Sequence, residues 1–329
     1  MIRTGLLSRT AVAALLMSSL ALAQDPAPAS ATAPNSSSVQ KLAVVVRRPA
    51  STPMLAAAIA GTRIVAVGDH GVIILSDDNG KTFRQARAVP TRSLLTSLSF
   101  VDAQHGWAAG HDGLILMTQD GGDSWTLQHE DLDGDKPLFA IHFHDAEHGI
   151  AVGLFNAALR TEDGGAHWSS FELKPGASED RHLYGIFTGR GNTLFIAAEG
   201  GTIYRSLDAG AHWDEVQTRN PGSFWAGLAL NSGALLAVGQ RGHVFVSRDN
   251  GSSWNEVASQ TDQSLTGALQ LADGSVLVTG LAGVTLHSGD DGQTFTAAAR
   301  SDRTPLTVAL PNGAGGALLL GGNGIVDAR

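Results

Sequence analysis

The stretch SDDNGKTF, residues Ser76–Phe83, decides the fold because it recurs along the chain. Each copy, here called an octet, has a hydroxyl residue first, Asp third, Gly fifth and an aromatic residue eighth. The octets are Ser76–Phe83, Thr118–Trp125, Thr161–Trp168, Ser206–Trp213, Ser247–Trp254 and Ser288–Phe295. Their glycines are 42, 43, 45, 41 and 41 residues apart. A repeat of this length indicates one supersecondary unit that is used many times.

A second motif precedes each octet and consists of a turn of small residues followed by an apolar strand. It reads GDHGVI at Gly68–Ile73 and GHDGLI at Gly110–Ile115. The motif occurs seven times, and its last copy, Gly321–Val326, is not followed by an octet. We therefore expect seven units, the last of which is incomplete.

Each unit contains four short strands, as judged from alternating hydrophobicity and turn residues. In the second unit the predicted strands are Leu95–Val101, Trp107–Ala109, Leu114–Thr118 and Trp125–His129. Four strands in a period of roughly 40 to 45 residues are typical of one blade of a β-propeller. The sequence predicts an all-β fold, a seven-bladed β-propeller of four-stranded antiparallel blades, over residues 40–329.

The last blade lacks a fourth strand, so its edge would leave backbone N–H and C=O groups unpaired. Lys41–Arg48 precedes the first unit and contains the β-branched run Val44–Val46. We predict that this N-terminal strand pairs with Gly324–Asp327 and closes the last blade.

The N-terminus predicts export. Residues 1–23 have the positive, apolar and small-residue regions of a signal peptide, and residues 24–39 form a flexible leader rich in Ala, Pro and Ser. No later segment approaches 18 uninterrupted apolar residues, so we expect no membrane span in the mature form. These features predict a periplasmic or secreted protein.

The composition limits the classes of function. The chain has 22 Lys and Arg against 31 Asp and Glu, a net charge of −9, which argues against nucleic acid as a partner. It has no cysteine, so disulfides, thiolate chemistry and cysteine metal sites are excluded. We expect a monomer with no cofactor.

The third residue of each octet is predicted to be structural. An Asp in a turn accepts hydrogen bonds from the backbone N–H groups that follow it, and the glycine after it permits a positive φ. The structural aspartates are Asp78, Asp120, Asp163, Asp208, Asp249 and Asp290. The octet resembles the Asp-box of bacterial neuraminidase repeats, a motif found in enzymes and non-enzymes alike. We therefore assign no catalytic residue among these aspartates.

Two stretches of the second unit carry a closer resemblance. HGWAAG at His105–Gly110 and DGGDSW at Asp120–Trp125, repeated in the other units, are similar to the repeat of the photosystem II assembly and stability factor family. The resemblance covers about residues 41–329. It implies a seven-bladed propeller that binds a reaction-centre subunit during assembly of a membrane complex and catalyses no reaction.

Candidate partner-binding residues lie where the units differ. Large side chains near the start of the first strand of units three to five, Phe139, Tyr184 and Trp225, are predicted to form an aromatic arc at the channel mouth. Packing between blades is the alternative explanation. The turns between second and third strands add a polar ring that includes His70 and His111.

Arginines supply a second candidate. Arg160, Arg205 and Arg241, with Arg248, lie on or beside the third strands of units three to five. A local positive patch on an acidic protein would attract an acidic peptide. Surface ion pairs are the alternative role for each arginine.

The alternative function is an Asp-box glycoside hydrolase or a sialidase-like enzyme. Most glycosidases need two carboxylates across the scissile bond, whereas sialidases use a tyrosine nucleophile. Only Tyr184 with Glu199 offers such an arrangement. We predict a non-enzymatic protein-binding scaffold instead, which acts in assembly of a membrane complex or in envelope transport.

Two features invite a metal-site hypothesis. Asp131–Asp135 alternates oxygen ligands as a calcium loop does, but it lacks the bidentate Glu of an EF-hand. His142 and His144 lie two residues apart on a strand and share one face, yet two ligands do not make a site. We predict no bound metal.

Overall fold

The computed structural model describes residues 41–134, 136–174, 176 and 180–326. The predicted signal peptide and leader lie outside these residues, so both stay predictions. The described chain contains 27 strands in seven separate sheets, each strand antiparallel to its neighbours. Among the described residues, no helix has the length and apolar character needed to span a membrane. The predicted seven-bladed β-propeller is confirmed.

The strands follow the chain order in every blade. Blade 1 has β1 (Met54–Ala60), β2 (Arg63–Gly68), β3 (Ile73–Ser76) and β4 (Arg84–Gln85). Blade 2 has β5 (Leu95–Phe100), β6 (Gly106–Gly110), β7 (Ile115–Thr118) and β8 (Thr126–His129). Blade 3 has β9 (Leu138–Phe143), β10 (Gly149–Gly153), β11 (Ala158–Thr161) and β12 (Ser169–Ser170). Blade 4 has β13 (Leu183–Thr188), β14 (Leu194–Ala198), β15 (Thr202–Ser206) and β16 (Asp214–Gln217).

The last three blades continue the pattern. Blade 5 has β17 (Phe224–Ala229), β18 (Leu235–Gly239), β19 (Val244–Ser247) and β20 (Asn255–Val257). Blade 6 has β21 (Leu265–Gln270), β22 (Val276–Gly280), β23 (Val284–Ser288) and β24 (Thr296–Ala299). Blade 7 has β25 (Leu306–Pro311), β26 (Ala317–Gly321) and β27 (Gly324–Val326). Short 3₁₀ turns occupy Pro49–Ser51, Asp69–Gly71, Gln240–Gly242 and Leu281–Gly283.

The first strands contact one another in a closed cycle, in which β25 of blade 7 meets β1 of blade 1. The Thr307 hydroxyl donates a hydrogen bond of 2.8 Å to the Met54 carbonyl across this last junction. The same bond joins Thr96 to Leu138 at 2.6 Å and Thr266 to Leu306 at 2.7 Å. The ring is therefore closed on its inner side by a contact that the other blades also use.

The second strands are almost wholly buried, because apolar side chains pack against the neighbouring blade on each side. The resulting clusters join adjacent blades; one of them joins blades 1 and 2 through Val65, Leu75, Leu116 and Trp125. The core is thus a series of inter-blade layers around the ring.

The predicted pairing of Lys41–Arg48 with Gly324–Asp327 is not seen among the described residues. Lys41–Arg48 contains no strand, and the sheet of blade 7 has three strands. Asp327 lies outside the described residues, so pairing beyond Val326 stays a prediction. The N-terminal segment does reach blade 7 through its 3₁₀ turn, since a Cβ atom added to Gly324 would lie 2.2 Å from the Ala50 carbonyl oxygen.

Before that turn, the N-terminal segment follows blade 1. The Gln85 side chain accepts a hydrogen bond from the Val46 N–H at 3.0 Å and donates one to the Val44 carbonyl at 2.7 Å. The Ala43 N–H donates to the Val89 carbonyl at 2.9 Å. The Gln85 amide at the end of the two-residue strand β4 therefore binds one N–H and one carbonyl of the N-terminal segment, which a neighbouring strand would otherwise bind.

Candidate functional site

The blades present two different ends. At one end, called the link face, the turns between second and third strands bond to the links between blades; the Gln240 N–H donates to the Ser223 carbonyl at 3.0 Å. At the other end, called the octet face, the octets bond to the turns between first and second strands, as when the Gly164 N–H donates to the Glu147 carbonyl at 2.9 Å. A side chain near the end of a strand can therefore be assigned to the link face or to the octet face.

Each octet aspartate holds its own turn on the octet face. Asp78 accepts hydrogen bonds from the Ser76 hydroxyl at 2.8 Å, the Thr82 N–H at 2.9 Å and the Thr82 hydroxyl at 2.6 Å. The Thr82 hydroxyl, followed by the Thr82 N–H, lowers the pKa of Asp78 to about 2. A carboxylate held this way stays charged and points its oxygens at its own turn, which suits neither acid nor nucleophile chemistry.

The same environment lowers the carboxyl pKa in the other octets. The pKa falls to about 2 in Asp163, Asp208 and Asp290, chiefly through hydrogen bonds from the residue four positions later. It also lies below its ordinary value in Asp120, where burial opposes the bonds from Ser124, and in Asp249, where Ser253 is the main cause.

The structure brings the three predicted aromatic residues together on the link face. Phe139, Tyr184 and Trp225 each occupy the second position of a first strand and are half-buried. The ring centroids of Phe139 and Tyr184 are 5.8 Å apart with an interplanar angle of 11°, and those of Tyr184 and Trp225 are 6.5 Å apart at 56°. Three consecutive blades therefore share a continuous aromatic row.

Two further rings extend this row. The His182 ring lies edge-on to Tyr184 with centroids 6.1 Å apart, and Phe155 lies edge-on to His182 at 5.0 Å. Phe155 is 47% exposed and has a φ of 51°, a strained conformation for a large residue. We call Phe139, Phe155, His182, Tyr184 and Trp225 the aromatic surface. The sequence reasoning missed His182, although its place in the link before β13 was a usable signal.

The position of Phe139, Tyr184 and Trp225, the second residue of the first strand, is occupied by a different residue type in other blades. In blades 2, 6 and 7 the second residue of the first strand is threonine, whose hydroxyl bonds to the next blade. Blades 3 to 5 replace that hydroxyl with a large ring. Blade packing alone therefore does not require aromatic residues here.

Tyr184 and Glu199, the pair considered for the enzymatic alternative, lie near one another on the link face. Burial, with the Glu199 charge as the second cause, raises the pKa of Tyr184, while a hydrogen bond with Ser223 opposes the rise. Glu199 accepts a hydrogen bond from the His182 N–H at 3.2 Å. A phenol that is held protonated is a poor nucleophile.

The predicted arginine patch is divided between the two faces. Arg241 is exposed in the turn after β18, on the link face. Arg160 and Arg205 are the penultimate residues of β11 and β15, at the octet end of their strands. A single patch that includes all three is therefore not present.

The three octet-face arginines have different surroundings. Arg205 bonds to the Ser252 hydroxyl at 2.6 Å and pairs with Asp214 at 3.3 Å, so it joins blade 4 to blade 5. Arg160 has its guanidinium 5.7 Å from the centre of the Phe171 ring. Arg248 pairs with Asp291 at 3.1 Å.

The predicted polar ring lies on the link face. His70 is exposed, has a φ of 56° and pairs with Asp69 at 2.9 Å. His111 is half-buried in the equivalent turn of blade 2. Both belong to blades 1 and 2 and lie outside the aromatic surface.

The metal hypotheses receive no geometric support from the part of the chain that the structure describes. It contains no group of three or more His, Cys, Asp or Glu side chains placed to hold an ion. In the acidic loop, the Asp131 carboxylate accepts a hydrogen bond from the Gly134 N–H at 2.9 Å. Asp135 lies outside the described residues.

These features define a seven-bladed β-propeller with an octet turn in six blades and an aromatic surface on the link face. Residues 127–278 match the profile of a family described as photosynthesis system II assembly factor YCF48. A comparison with curated protein sequences gave no match. This part of the chain is similar to the photosystem II assembly factor family, as the resemblance implied.

Solved structures support the same fold. YCF48 bound to a D1 peptide has a TM-score of 0.69 at 20% identity, over 85% of this chain and 94% of that one. YCF48 from Cyanidioschyzon merolae has a TM-score of 0.67 at 15% identity, over 87% and 97%. An ancestral GH74 enzyme has a TM-score of 0.59 at 13% identity, over 76% of this chain and 39% of the enzyme. Because these identities are low, the likeness shows the fold alone.

Proposed function

We propose that this protein is an exported, non-enzymatic scaffold that binds a segment of a protein partner on its link face. The aromatic surface is the observation that carries the proposal. Partly exposed aromatic rings in adjacent blades supply a large contact area with little loss of side-chain entropy, and such residues are enriched at protein interfaces. The YCF48 structure that contains a D1 peptide supports peptide binding as a use of this fold.

The side chains of the aromatic surface indicate what kind of partner segment would bind there. Phe139, Tyr184 and Trp225 form an apolar row that accepts an apolar or aromatic anchor side chain. Glu199 and His182 border the row and offer polar groups at its edge. The partner is therefore an extended segment with an apolar anchor, such as an exposed part of a membrane-complex subunit before assembly.

The binding experiment uses the threonines of the other blades as a guide. A triple variant, Phe139→Thr, Tyr184→Thr and Trp225→Thr, places in blades 3 to 5 the residue that blades 2, 6 and 7 carry. Peptides are selected on the wild-type protein from a displayed random library and their dissociation constants are measured by calorimetry. The proposal predicts at least a tenfold loss of affinity, since hot-spot aromatic residues contribute about 2 kcal/mol or more each.

Leu207→Thr is the matched control for this experiment. Leu207 is a 55% exposed apolar residue in the octet of blade 4, on the opposite face. The control should bind the selected peptides as the wild type does. Equal affinity in the triple variant, with unchanged thermal unfolding, would contradict the proposal.

Export is a further part of the proposal and rests on residues 1–23. Mature protein purified from the periplasm or medium of an expressing bacterium should begin near Gln24 by mass spectrometry. Full-length protein retained in the cytoplasm would reject this part alone.

The enzymatic alternative is also tested, because an ancestral GH74 enzyme has a similar fold. We expect no hydrolysis of sialosides or xyloglucan by the purified protein. Activity that disappears in Tyr184→Phe would establish the enzyme and overturn the scaffold.

A further inference from the structure

A cavity of about 360 Å³ lies between blades 3 and 4 at the octet face. Apolar residues Ile150, Leu194 and Ala211 line one part of it, and His142 and Arg160 line another. Its size is at the lower end of small-molecule sites. The cavity lies on the face opposite to the aromatic surface and is independent of the proposed peptide site.

The residues beside this cavity differ from their counterparts in other blades. In blade 3, His142 pairs with Ile150, which pairs with Arg160, so the three side chains form a row across the sheet. The same row in blade 5 is Leu228, Leu236 and Val246. In blade 1 it is Ala58, Val65 and Leu75. The row of blade 4 ends in Arg205 and that of blade 6 in His287, so among the described residues blade 3 is the blade with an ionisable side chain on both sides of the apolar centre.

The centre of the row keeps its structural role. A Cβ atom added to Gly210 of the blade 4 octet would lie 2.4 Å from the Ile150 side chain. In the next interface a Cβ atom added to Gly251 would lie 2.3 Å from the Phe195 ring. Ile150 therefore packs the interface as its counterpart does, and His142 and Arg160 are not needed for that contact.

One ring nitrogen of His142 lacks a hydrogen-bond partner among the described residues. This atom, Nε2, is buried. Burial, followed by the nearby His144, lowers the pKa of His142 to about 4, so the ring is neutral at pH 7. An unsatisfied buried polar atom is costly, and a ligand atom that met this nitrogen would remove the cost.

One cationic side chain that lines the cavity, Arg160, has no ion pair among the described residues. Its guanidinium lies against the Phe171 ring. The Asp145 carboxylate contacts the His148 ring Nδ1 at 3.0 Å, and the Asp208 carboxylate contacts the His212 ring Nδ1 at 2.7 Å. Glu162 lines the cavity together with Asp145 and Asp208, and these carboxylates disfavour a ligand that carries more than one negative charge.

We propose that this cavity binds a small organic monocarboxylate with a compact apolar body. The carboxylate pairs with the Arg160 guanidinium and accepts a hydrogen bond from His142 Nε2–H, while the apolar body packs against Ile150 and Leu194. Arginine suits this role because its planar fork matches a carboxylate.

The probe for this site is 3-methylbutanoate, with the uncharged 3-methylbutanamide as its matched control. Titration of the mature wild-type protein should give saturable shifts of the His142 ring nitrogens in NMR spectra, with a dissociation constant near or below about 10 mM. The amide should bind at least tenfold more weakly. Absence of saturable shifts, or equal binding of acid and amide, would overturn the proposal.

Variants locate the binding. Arg160→Gln should weaken binding about tenfold or more, and Arg160→Lys, which keeps the charge, should weaken it less. His142→Leu places in blade 3 the residue that blades 5 and 6 carry there, so it should fold normally and still bind more weakly. Arg248→Gln removes an arginine of the same face outside the cavity and should bind as the wild type does. Equal loss in Arg248→Gln and Arg160→Gln would reject the site.

Discussion

At the scale of single residues, the octet is a turn that satisfies its own polar groups. Its first hydroxyl accepts the N–H of the glycine, as Ser76 does from Gly80 at 2.8 Å, and its aspartate accepts the hydrogen bonds that follow. The sequence therefore predicted the role of six aspartates from spacing and turn chemistry alone. The aromatic residues could also be placed, because the second position of a first strand is defined by the repeat.

The octet aspartates predict a loss of stability in acid. The carboxyl pKa is lowered from its ordinary value of 3.8 to about 2 in Asp78, Asp163, Asp208 and Asp290, and it is also lowered in Asp120 and Asp249. A depressed carboxyl pKa contributes stability that is present above the unfolded value and is lost as the pH falls through the folded value. The free energy of unfolding, measured with denaturant, should therefore decrease from about pH 4 to pH 2.

A pair of variants separates this effect from general acid repulsion. Asp163→Asn should destabilise the protein at pH 7 and should show a smaller decrease between these pH values. Asp133→Asn, which changes an exposed acid outside the octets, should leave the pH profile as it is. Identical profiles for all three proteins would show that the octet bonds do not cause the acid sensitivity.

At the scale of elements, an apolar side chain of one blade lies against the octet glycine of the next, except at Gly165, which faces the Gln128 side chain. The glycine has a positive φ, 77° in Gly251, and its Cα faces the Phe195 ring. Sequence alone showed the glycine but not the partner, because the contact joins residues about one repeat apart. For the same reason the cavity beside Ile150 could not be foreseen, and His142 was weighed only as a metal ligand.

Glycine substitutions measure this interface. Gly251→Ala should lower the free energy of unfolding by about 2 to 4 kcal/mol, because it adds a clash with Phe195 to the backbone strain of a positive φ. Gly274→Ala has a similar φ of 86° and nothing within 4 Å of the new Cβ atom, so it should cost only about 1 kcal/mol. Equal costs in a urea titration would mean that the inter-blade contact adds nothing to stability.

At the scale of the whole molecule, the seven copies of the small-residue turn motif, six of them followed by an octet, were sufficient to predict seven blades. The predicted closure by Lys41–Arg48 stays a prediction; among the described residues the Gln85 side chain bonds to this segment, and a threonine contact joins β25 to β1. The predicted arginine patch was wrong because Arg160 and Arg205 lie at the end of a third strand, whereas Arg241 lies in the turn before one. Proximity to a third strand in the sequence does not tell these two ends apart. The aromatic row was predicted correctly as a group because its members occupy one repeat position.

The central claim is that the link face binds a protein segment. The most direct measurement places a photo-crosslinking amino acid at Phe155, on the aromatic surface, or at Leu207, on the octet face, in the protein expressed in its own host. Both positions are exposed apolar residues, so they differ mainly in the face that they report. The account predicts a discrete adduct with another protein at position 155 and none at position 207. Adducts only at position 207, or none at position 155, would contradict it.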